Sequence, residues 1–414
     1  MLSQNHNDLL TQTGPGTPLG ELYRRYWIPA LLSEEIPAPD CAPVRVKLLS
    51  EELVAFRDSN GRIGLMDEHC PHRGTSLFFG RNQQCGLTCV YHGWKIDVDG
   101  NVVDTPAEPP GSDFKKKLRH RSFPTEEAAG IVYAYLGPKE KMPLFPKYEW
   151  TRAPRERTYV TKCWQECNYL QGLEGECDSS HLSFVHRDFG ATGRRALLAH
   201  DVAPEYEIEE TDFGLRLIAL RSAGPGKQYV RISSFVMPMA CCITARNDNG
   251  YEIHIYVPAG DTHSWRYDLG FKRTGPVTDD DLHRRKQIGP DYRKIRNRQN
   301  NYLQDRQAQK TQSFTGIEDF LNHDACATET MGAIYDRSKE HLGASDSAVI
   351  AVRKFLLNAV AGFQHGGEPP HLVKEPAQNH FPHVCSLAEI IPADIHWRQH
   401  FAQLTVNARG TNHI

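Results

Sequence analysis

Two short pairs of cysteine and histidine are the residues of this sequence best suited to bind metal. The first pair is Cys70 and His72, and the second is Cys89 and His92. Sixteen residues separate the two pairs, so each pair can lie on one tight loop and both loops can close on one metal centre. Two thiolates and two imidazoles suit a structural zinc ion. They equally suit a two-iron, two-sulfur cluster with thiolates on one iron and imidazoles on the other.

A second group of possible ligands lies at Glu174, Asp178, His181 and His186. On a regular helix Glu174, Asp178 and His181 would share one face, because they are four and three residues apart. His186 follows His181 by five residues, which is roughly 140° of helical rotation. The helix must therefore end or bulge near residues 182–183 if both imidazoles bind one metal. Two histidines and one carboxylate with open positions are typical of iron(II) sites that activate dioxygen. A zinc protease would instead space its histidines by four residues.

The segments that position these residues fall into two regions. Residues 44–136 are rich in short β-type runs, with hairpin turns at Asn60-Gly61 and Asp99-Gly100. A proline-containing stretch at 141–154 is predicted as a linker. We therefore predict an α+β protein: an all-β domain within residues 1–150, and a domain at 151–414 in which helices grip an antiparallel sheet. The second domain is predicted to contain helices at 167–181, 317–341 and 347–360 and strands at 206–210, 215–221, 242–246, 251–257 and 265–271.

Composition excludes several classes of function. The chain has 414 residues and a formal net charge of −3, with Lys and Arg spread along its length. This distribution argues against a nucleic-acid groove or a polybasic membrane anchor. No apolar run approaches the roughly 20 residues of a bilayer span, and residues 1–10 lack an apolar signal core. We expect a soluble cytoplasmic protein whose eleven cysteines serve metal binding rather than disulfides.

The residues around the cysteine–histidine pairs resemble the cluster-binding loops of Rieske-type aromatic-ring-hydroxylating oxygenases. The loops read Cys-Pro-His-Arg-Gly from Cys70 and Cys-Val-Tyr-His-Gly-Trp from Cys89. Respiratory Rieske proteins carry an additional cysteine in each loop, at the positions of Thr75 and Tyr91, so the pattern favours the oxygenase or ferredoxin branch. The resemblance implies a [2Fe–2S] cluster, with one iron on the two cysteines and the other on the two histidines: Cys70, Cys89, His72 and His92.

The motif around His181 is similar to the mononuclear iron site of the same family. The resemblance implies that His181 and His186 bind Fe(II). It implies that Asp178 hydrogen-bonds His181 and reaches His92 of a neighbouring subunit, carrying electrons across the interface. The family takes its third ligand from a C-terminal helix, and Asp324 matches that position, being followed five residues later by Glu329. Three other acids are rivals for this role: Glu318, Asp319 and Asp336.

The resemblance covers nearly the whole chain and is strongest to the phthalate-dioxygenase-like group. Residues 14–20 and 336–346 match the pattern of that group. The resemblance implies the terminal oxygenase (alpha) subunit of a multicomponent system, assembled as a homotrimer or stacked trimers. It also implies a separate NAD(P)H-dependent reductase, because the chain has no convincing dinucleotide-binding fingerprint. The expected substrates are dioxygen and a small aromatic compound.

An aromatic carboxylate oxidised by ring cis-dihydroxylation is the expected substrate class. O-demethylation or ether cleavage of a methoxy- or aryloxy-benzoate by the same centre is the alternative. A carboxylate favours an arginine partner, and strand alternation leaves the direction of each sheet arginine open. Residues 236–239 could line an apolar pocket or simply pack in the core. A Rieske electron carrier with a binding module and a zinc-stapled binding protein are more remote readings. The candidate arginines are Arg216, Arg221, Arg231 and Arg246.

Overall fold

A computed structural model of the protein describes residues 1–244 and 249–402. The β-rich N-terminal part begins with helices α1 (Gln4–Thr11) and α2 (Pro18–Tyr23). Its strands form antiparallel sheets with the orders β1–β11–β10, β2–β3–β4–β9 and β5–β6–β7–β8. The strands are β1 (Trp27–Leu32), β2 (Val44–Leu48), β3 (Glu51–Arg57), β4 (Ile63–Asp67), β5 (Arg81–Gln83), β6 (Gly86–Thr88), β7 (Lys95–Ile96), β8 (Val102–Asp104), β9 (Ser122–Phe123), β10 (Thr125–Ala128) and β11 (Ile131–Tyr135).

Two glycines make the predicted hairpin turns possible. Gly61, between β3 and β4, has φ +80°, and Gly100, between β7 and β8, has φ +82°. Both values lie in the left-handed region that side-chain-bearing residues rarely adopt. A Cβ on Gly100 would also lie 2.2 Å from the carbonyl oxygen of His120. These turns set the lengths of the strands that support the two cysteine–histidine loops.

The C-terminal part is one antiparallel sheet with helices against it, as the α+β prediction required. The strand order is β12–β18–β17–β16–β15–β14–β13, and β19 pairs with β15. Its strands are β12 (Thr158–Gln165), β13 (Glu205–Glu210), β14 (Gly214–Ser222), β15 (Lys227–Val236), β16 (Ala240–Ile243), β17 (Glu252–Gly260), β18 (His263–Phe271) and β19 (Leu387–Pro392). Its helices are α3 (Glu149–Arg152), α4 (Tyr169–Cys177), α5 (Arg194–His200), α6 (Arg306–Thr311), α7 (Phe320–Glu329) and α8 (Ser347–Gln364).

Two predicted helices are shorter than expected. The helix predicted at 167–181 ends at Cys177, because the Asp178 side chain accepts hydrogen bonds from the backbone N–H groups of Ser180 and His181. An aspartate that bonds its own following backbone competes with helix continuation. The helix predicted at 317–341 is wrong beyond Glu329, since the chain turns through Gly332 with φ +99°. The strand predicted at 242–246 overlaps β16 (Ala240–Ile243) only at residues 242–243, and residues 245–248 lie outside the described part.

The hydrophobic core joins the two parts of the chain. One large buried cluster contains residues of α1, β1 and β11 together with residues of α4, β17 and α8, for example Leu10, Tyr169 and Val352. The two cysteine–histidine loops have a smaller core of their own, to which Leu77 and Trp94 belong. The lobe that carries the two cysteine–histidine loops thus has a separate core, while the N-terminal helices are part of the larger core. Among the described residues, the structure contains no helix long and apolar enough to cross a bilayer.

A buried ionic network holds α4 in place. Glu174 accepts hydrogen bonds from Arg337 Nε at 2.9 Å and Arg353 Nε at 2.6 Å. Arg337 also donates to Asn7 of α1 at 3.2 Å. Burial raises the pKa of Glu174, but the two guanidinium groups outweigh it and hold that pKa below its usual value. Glu174 therefore anchors the helix, whereas His181 follows the helix end in a 3₁₀ turn and so does not continue the helical face that the spacing predicted.

Candidate functional site

The two cysteine–histidine loops have the same backbone geometry. In the first, Cys70 N–H donates to Thr75 O at 2.8 Å and Gly74 N–H donates to Cys70 O at 2.9 Å. In the second, Cys89 N–H donates to Trp94 O at 2.8 Å, and Gly93 N–H donates to Cys89 O at 3.0 Å. Glycine closes each turn with φ near +75°, a conformation that disfavours any side chain. Two equivalent turns therefore face each other, and each turn carries one cysteine and one histidine.

The loops separate their thiols from their imidazoles. Cys70 and Cys89 are each 3% exposed and lie against each other in the lobe core. Burial, followed by the neighbouring Cys89, raises the pKa of Cys70 to about 11. The rings of His72 and His92 lie 4.5 Å apart near the surface, and His72 stacks on Trp94 at 4.5 Å. A buried thiol of raised pKa, such as Cys70, is one whose deprotonation a bound metal must drive.

This arrangement fits a two-metal cluster better than a single zinc ion. Among the described residues, a single group of three His, Cys, Asp or Glu side chains has its donor atoms within 4.8 Å of one another. None of the residues of the two cysteine–histidine loops belongs to that group. A tetrahedral zinc would require all four loop donors in one compact group. Thiols inside and imidazoles outside instead match a cluster in which each iron takes one kind of ligand.

The compact group of donors consists of His181, His186 and Asp324. His181 lies in a 3₁₀ turn (His181–Ser183) just after α4, and Asp324 lies in α7. The two histidine Nε2 atoms are 3.3 Å apart. Asp324 Oδ1 lies 3.0 Å from Nε2 of His186 and 3.9 Å from Nε2 of His181. Three electron-pair donors that converge on one point, with one side open to a cavity, fit a metal that keeps free coordination positions.

Asp178 lies next to this group. Its Oδ2 is 3.7 Å from His181 Nδ1, which is too long for a hydrogen bond. His181 Nδ1 is a buried atom that has no hydrogen-bond partner in the described part of the chain. Burial raises the pKa of Asp178, but His181 and the backbone N–H groups outweigh burial and hold that pKa below its usual value. Tyr206 OH lies 3.3 Å from the other carboxylate oxygen. Asp178 is therefore an ionised neighbour placed to orient His181.

A buried set of charges supports Asp324 from behind. Arg266, 1% exposed, lies 3.2 Å from Asp324 Oδ2 and donates to Asp268 at 2.7 Å. It also contacts Glu176 at 3.4 Å and His254 at 3.1 Å. Burial raises the pKa of Asp324, but His186 and Arg266 hold it well below its usual value. The carboxylate is therefore ionised and oriented before any metal binds.

The rival acids have other partners. Glu318 pairs with Arg296 at the surface. Asp319 caps α7 by accepting from Leu321 N–H at 3.0 Å. Asp336 pairs with Lys339 at 2.9 Å. Among these acids, Asp324 alone lies within ligand distance of both histidines.

A cavity of about 370 Å³ opens beside the donor group. Arg231 lines it from β15, and its guanidinium has no hydrogen-bond or ion-pair partner among the described residues. Arg216 points away and pairs with Glu209 at 2.7 Å, while Arg221 donates to Ser179. Arg246 lies outside the described residues. The wall is formed by alternate residues of β14 and β15, as expected for one face of a sheet: Leu217, Ala219, Tyr229, Arg231 and Ser233.

The apolar segment at 236–239 belongs to the core. Val236, Met237 and Met239 are buried in the large hydrophobic cluster, and they are absent from the described lining of the cavity. The core-packing interpretation of this segment is therefore the right one.

Comparison with known proteins decides the family. The model described as "Rieske [2Fe-2S] domain" matches residues 26–124, and the model described as "LigXa C-terminal domain like" matches residues 134–413. The phthalate 4,5-dioxygenase oxygenase subunit of Pseudomonas putida is 39% identical, over 97% of this chain and 95% of the relative. The chain is a Rieske oxygenase of the phthalate-dioxygenase-like group.

Further relatives place this Rieske oxygenase among oxygenase subunits of multicomponent systems. The 3-chlorobenzoate-3,4-dioxygenase oxygenase subunit of Comamonas testosteroni is 34% identical, over 96% of this chain and 97% of the relative. The carbazole-bound oxygenase–ferredoxin complex of carbazole 1,9a-dioxygenase has the same fold, with a TM-score of 0.60 at 20% identity over 88% of this chain and 96% of that one. The chain is thus an oxidoreductase that carries a [2Fe–2S] cluster and Fe(II).

Several residues around the iron site escaped the sequence analysis. Arg266, Glu176 and His254 lie on different elements and have no local spacing signal. Phe320 stacks on His186 at 4.4 Å, and its position four residues before Asp324, on one helical face, is the signal that could have identified it.

Proposed function

We propose that the loop residues hold the cluster and that His181, His186 and Asp324 hold the mononuclear iron. The support is geometric: paired thiols and paired imidazoles on equivalent turns, and three donors converging on one point. The iron supplies the activation of dioxygen beside the substrate. The protein supplies an ionised, oriented Asp324 and two imidazoles that face the open cavity. Residues 1–150 and 151–414 are the corresponding cluster-binding and catalytic domains. The cluster ligands are Cys70, His72, Cys89 and His92.

We propose an aromatic carboxylate as the substrate, oxidised by ring cis-dihydroxylation. The observation that carries this proposal is Arg231 on the cavity wall, whose guanidinium has no ion-pair partner among residues 1–244 and 249–402. A guanidinium can bind a carboxylate with two parallel hydrogen bonds and so fix the ring relative to the iron. The cavity volume of about 370 Å³ suits a small ligand. The names of the phthalate and chlorobenzoate relatives describe aromatic acids.

We propose that electrons reach the iron between copies of this chain. They would pass from a separate NAD(P)H-dependent reductase to the cluster, and then through His92 of one copy to Asp178 and His181 of the next. Asp178 and His181 have side chains 22% and 20% exposed, and Tyr91 beside His92 is 55% exposed, so a second copy can contact both sites. A head-to-tail contact of this kind closes most simply into a homotrimer, which can stack further.

The test is product analysis with the complete enzyme. The protein, reconstituted with iron and reduced through a surrogate reductase, is offered aromatic acids with and without methoxy groups. Mass spectrometry reads the products. A product that gains two oxygen and two hydrogen atoms supports ring dihydroxylation. Formaldehyde and a free phenol would replace that proposal with O-demethylation. If none of the aromatic acids were oxidised by protein with both the cluster and the iron loaded, the proposed substrate class would be contradicted.

A further inference from the structure

His323 connects the iron-site residue His186 to the main chain. Its Nε2 lies 2.7 Å from the carbonyl oxygen of Ile317, and its Nδ1 lies 3.1 Å from Nδ1 of His186. His323 is 6% exposed, so little water competes for either nitrogen. Both separations are those of ordinary hydrogen bonds.

The carbonyl group sets the direction of both hydrogen bonds. A carbonyl oxygen only accepts, so Nε2 of His323 carries the hydrogen in that contact. In a neutral imidazole the other nitrogen is then an acceptor. Nδ1 of His323 accepts, and Nδ1 of His186 donates. The Nε2 atom of His186 is consequently left with its lone pair, and this is the atom that lies 3.0 Å from Asp324 Oδ1.

We propose that His323 is a positioning residue that holds His186 in the tautomer and ring orientation needed to bind iron. The proposal rests on the proposed iron site and adds a residue that makes no contact with the metal itself. Hydrogen bonds of this kind to metal-binding histidines orient the ring and increase its basicity as a ligand.

Helix α7 provides three of the side chains that contact His186. Phe320 stacks on its ring at 4.4 Å, His323 accepts from its Nδ1, and Asp324 faces its Nε2. These positions are three and four residues apart and so share one helical face. The acid beside His181 is farther away, since Oδ2 of Asp178 lies 3.7 Å from its Nδ1. The two histidines thus differ in one contact: Nδ1 of His186 has a hydrogen-bond partner in His323, whereas Nδ1 of His181 has none among the described residues.

The test compares His323→Leu with His323→Asn. The two replacements have nearly the same shape, but only asparagine places an acceptor oxygen where Nδ1 of His323 stands. Leucine is the better helix former, so a purely structural role would favour His323→Leu. Iron retention is measured anaerobically, as the Fe(II) concentration that half-fills the mononuclear site and as the rate of iron loss to a chelator. The visible absorption of the cluster, which lies in the other lobe, normalises each sample.

We expect His323→Leu to bind Fe(II) roughly ten- to a hundredfold more weakly than the wild type, and His323→Asn to remain within a few-fold of it. Wild-type iron affinity in His323→Leu overturns the proposal. An equal loss in both variants also overturns it, since packing rather than the acceptor would then matter. If His323→Leu does not fold, a tenfold weaker affinity in His323→Asn overturns the proposal, and near wild-type affinity supports it. Failure of the proposed iron site is distinguishable, because Asp324→Ala would then retain as much iron as the wild type.

Discussion

Arg266 and Asp324 form an ion pair in which only one of the two carboxylate oxygens of Asp324 is used. Arg266 Nη1 lies 3.2 Å from Oδ2 of Asp324, whereas Oδ1 of Asp324 faces His186 at 3.0 Å. One oxygen is thus held by the protein and the other is presented to the metal position. A buried guanidinium fixes the plane of a carboxylate through its directional N–H groups, so the ligand set is oriented in advance.

Arg266→Met should destabilise the protein severely. The change leaves Asp268, Glu176 and Asp324 buried without their cation, and breaking one side of a buried ionic network costs about 3–5 kcal/mol. The free energy of unfolding of the iron-free protein, from urea denaturation followed by circular dichroism, measures this. Arg398→Met is the control, since Arg398 is 52% exposed in its pair with Glu209 and should cost about 1 kcal/mol or less. Equal small losses in both variants would contradict the structural role of Arg266.

Asp324→Ala should lose the mononuclear iron while the brown cluster colour remains. The replacement removes the one carboxylate of the three-donor group, whereas the cluster lobe has a separate core. Iron and inorganic sulfide are measured on the same sample, and iron should fall relative to sulfide. Asp336→Asn, which changes an acid paired with Lys339, should leave that ratio unchanged. Full iron retention in Asp324→Ala would move the third ligand to a rival acid.

Asp178→Asn should leave both metal centres loaded and slow product formation. The carboxylate next to His181 is lost while the shape is kept, and partners of metal-binding histidines typically matter by roughly ten- to a hundredfold. Product per unit time and the rate of cluster oxidation after mixing with dioxygen and substrate are the two measurements. Asp201→Asn, a change in a carboxylate that accepts from Ser222 N–H at 2.7 Å, serves as the control. Wild-type turnover in Asp178→Asn would exclude it from the electron path.

Arg231→Gln should raise KM for an aromatic carboxylate roughly ten- to a hundredfold, because a hydrogen bond to a charged group contributes about 1.5–3 kcal/mol. The neutral methyl ester of the same acid should show little change. Arg216→Gln, on the opposite face of the sheet and paired with Glu209, is the matched control and should leave KM near the wild-type value. An unchanged KM for the acid in Arg231→Gln would contradict the role of Arg231 in substrate binding.

The free energy of unfolding should decrease as the pH is lowered into the acid range, partly because of Glu176. Burial raises the pKa of Glu176, but His254 and Arg266 outweigh it and lower that pKa from 4.5 to about 2. Between these values the unfolded chain binds more protons than the folded one, so stability is present above about pH 4.5 and is lost as pH falls toward about 2. In Glu176→Gln the unfolding free energy should depend less steeply on pH in this window. The same slope as in the wild type would show that other groups dominate acid unfolding.

Much of the fold could be predicted because its signals are local. The hairpin glycines, the alternating strands and the α+β order follow from neighbouring residues, as do the two pairs of loop ligands. The errors were local as well: Asp178 ends α4 by bonding its own following backbone, and Gly332 follows the early end of α7. Both residues were visible in the sequence, but helical spacing alone gave them too little weight.

The sequence by itself determined the family, the loop ligands predicted for the cluster, and the candidates His181, His186 and Asp324, because short spacings constrain which side chains can meet. Only the tertiary structure decided which of the candidate sheet arginines faces the cavity, since strand register places Arg231 on the cavity face and Arg216 on the opposite face, where it pairs with Glu209. It also decided that Arg266 contacts Asp324 and that His323 contacts His186. Such contacts join residues far apart in the chain, and their geometry follows from the packing of α7 against the sheet rather than from any local pattern.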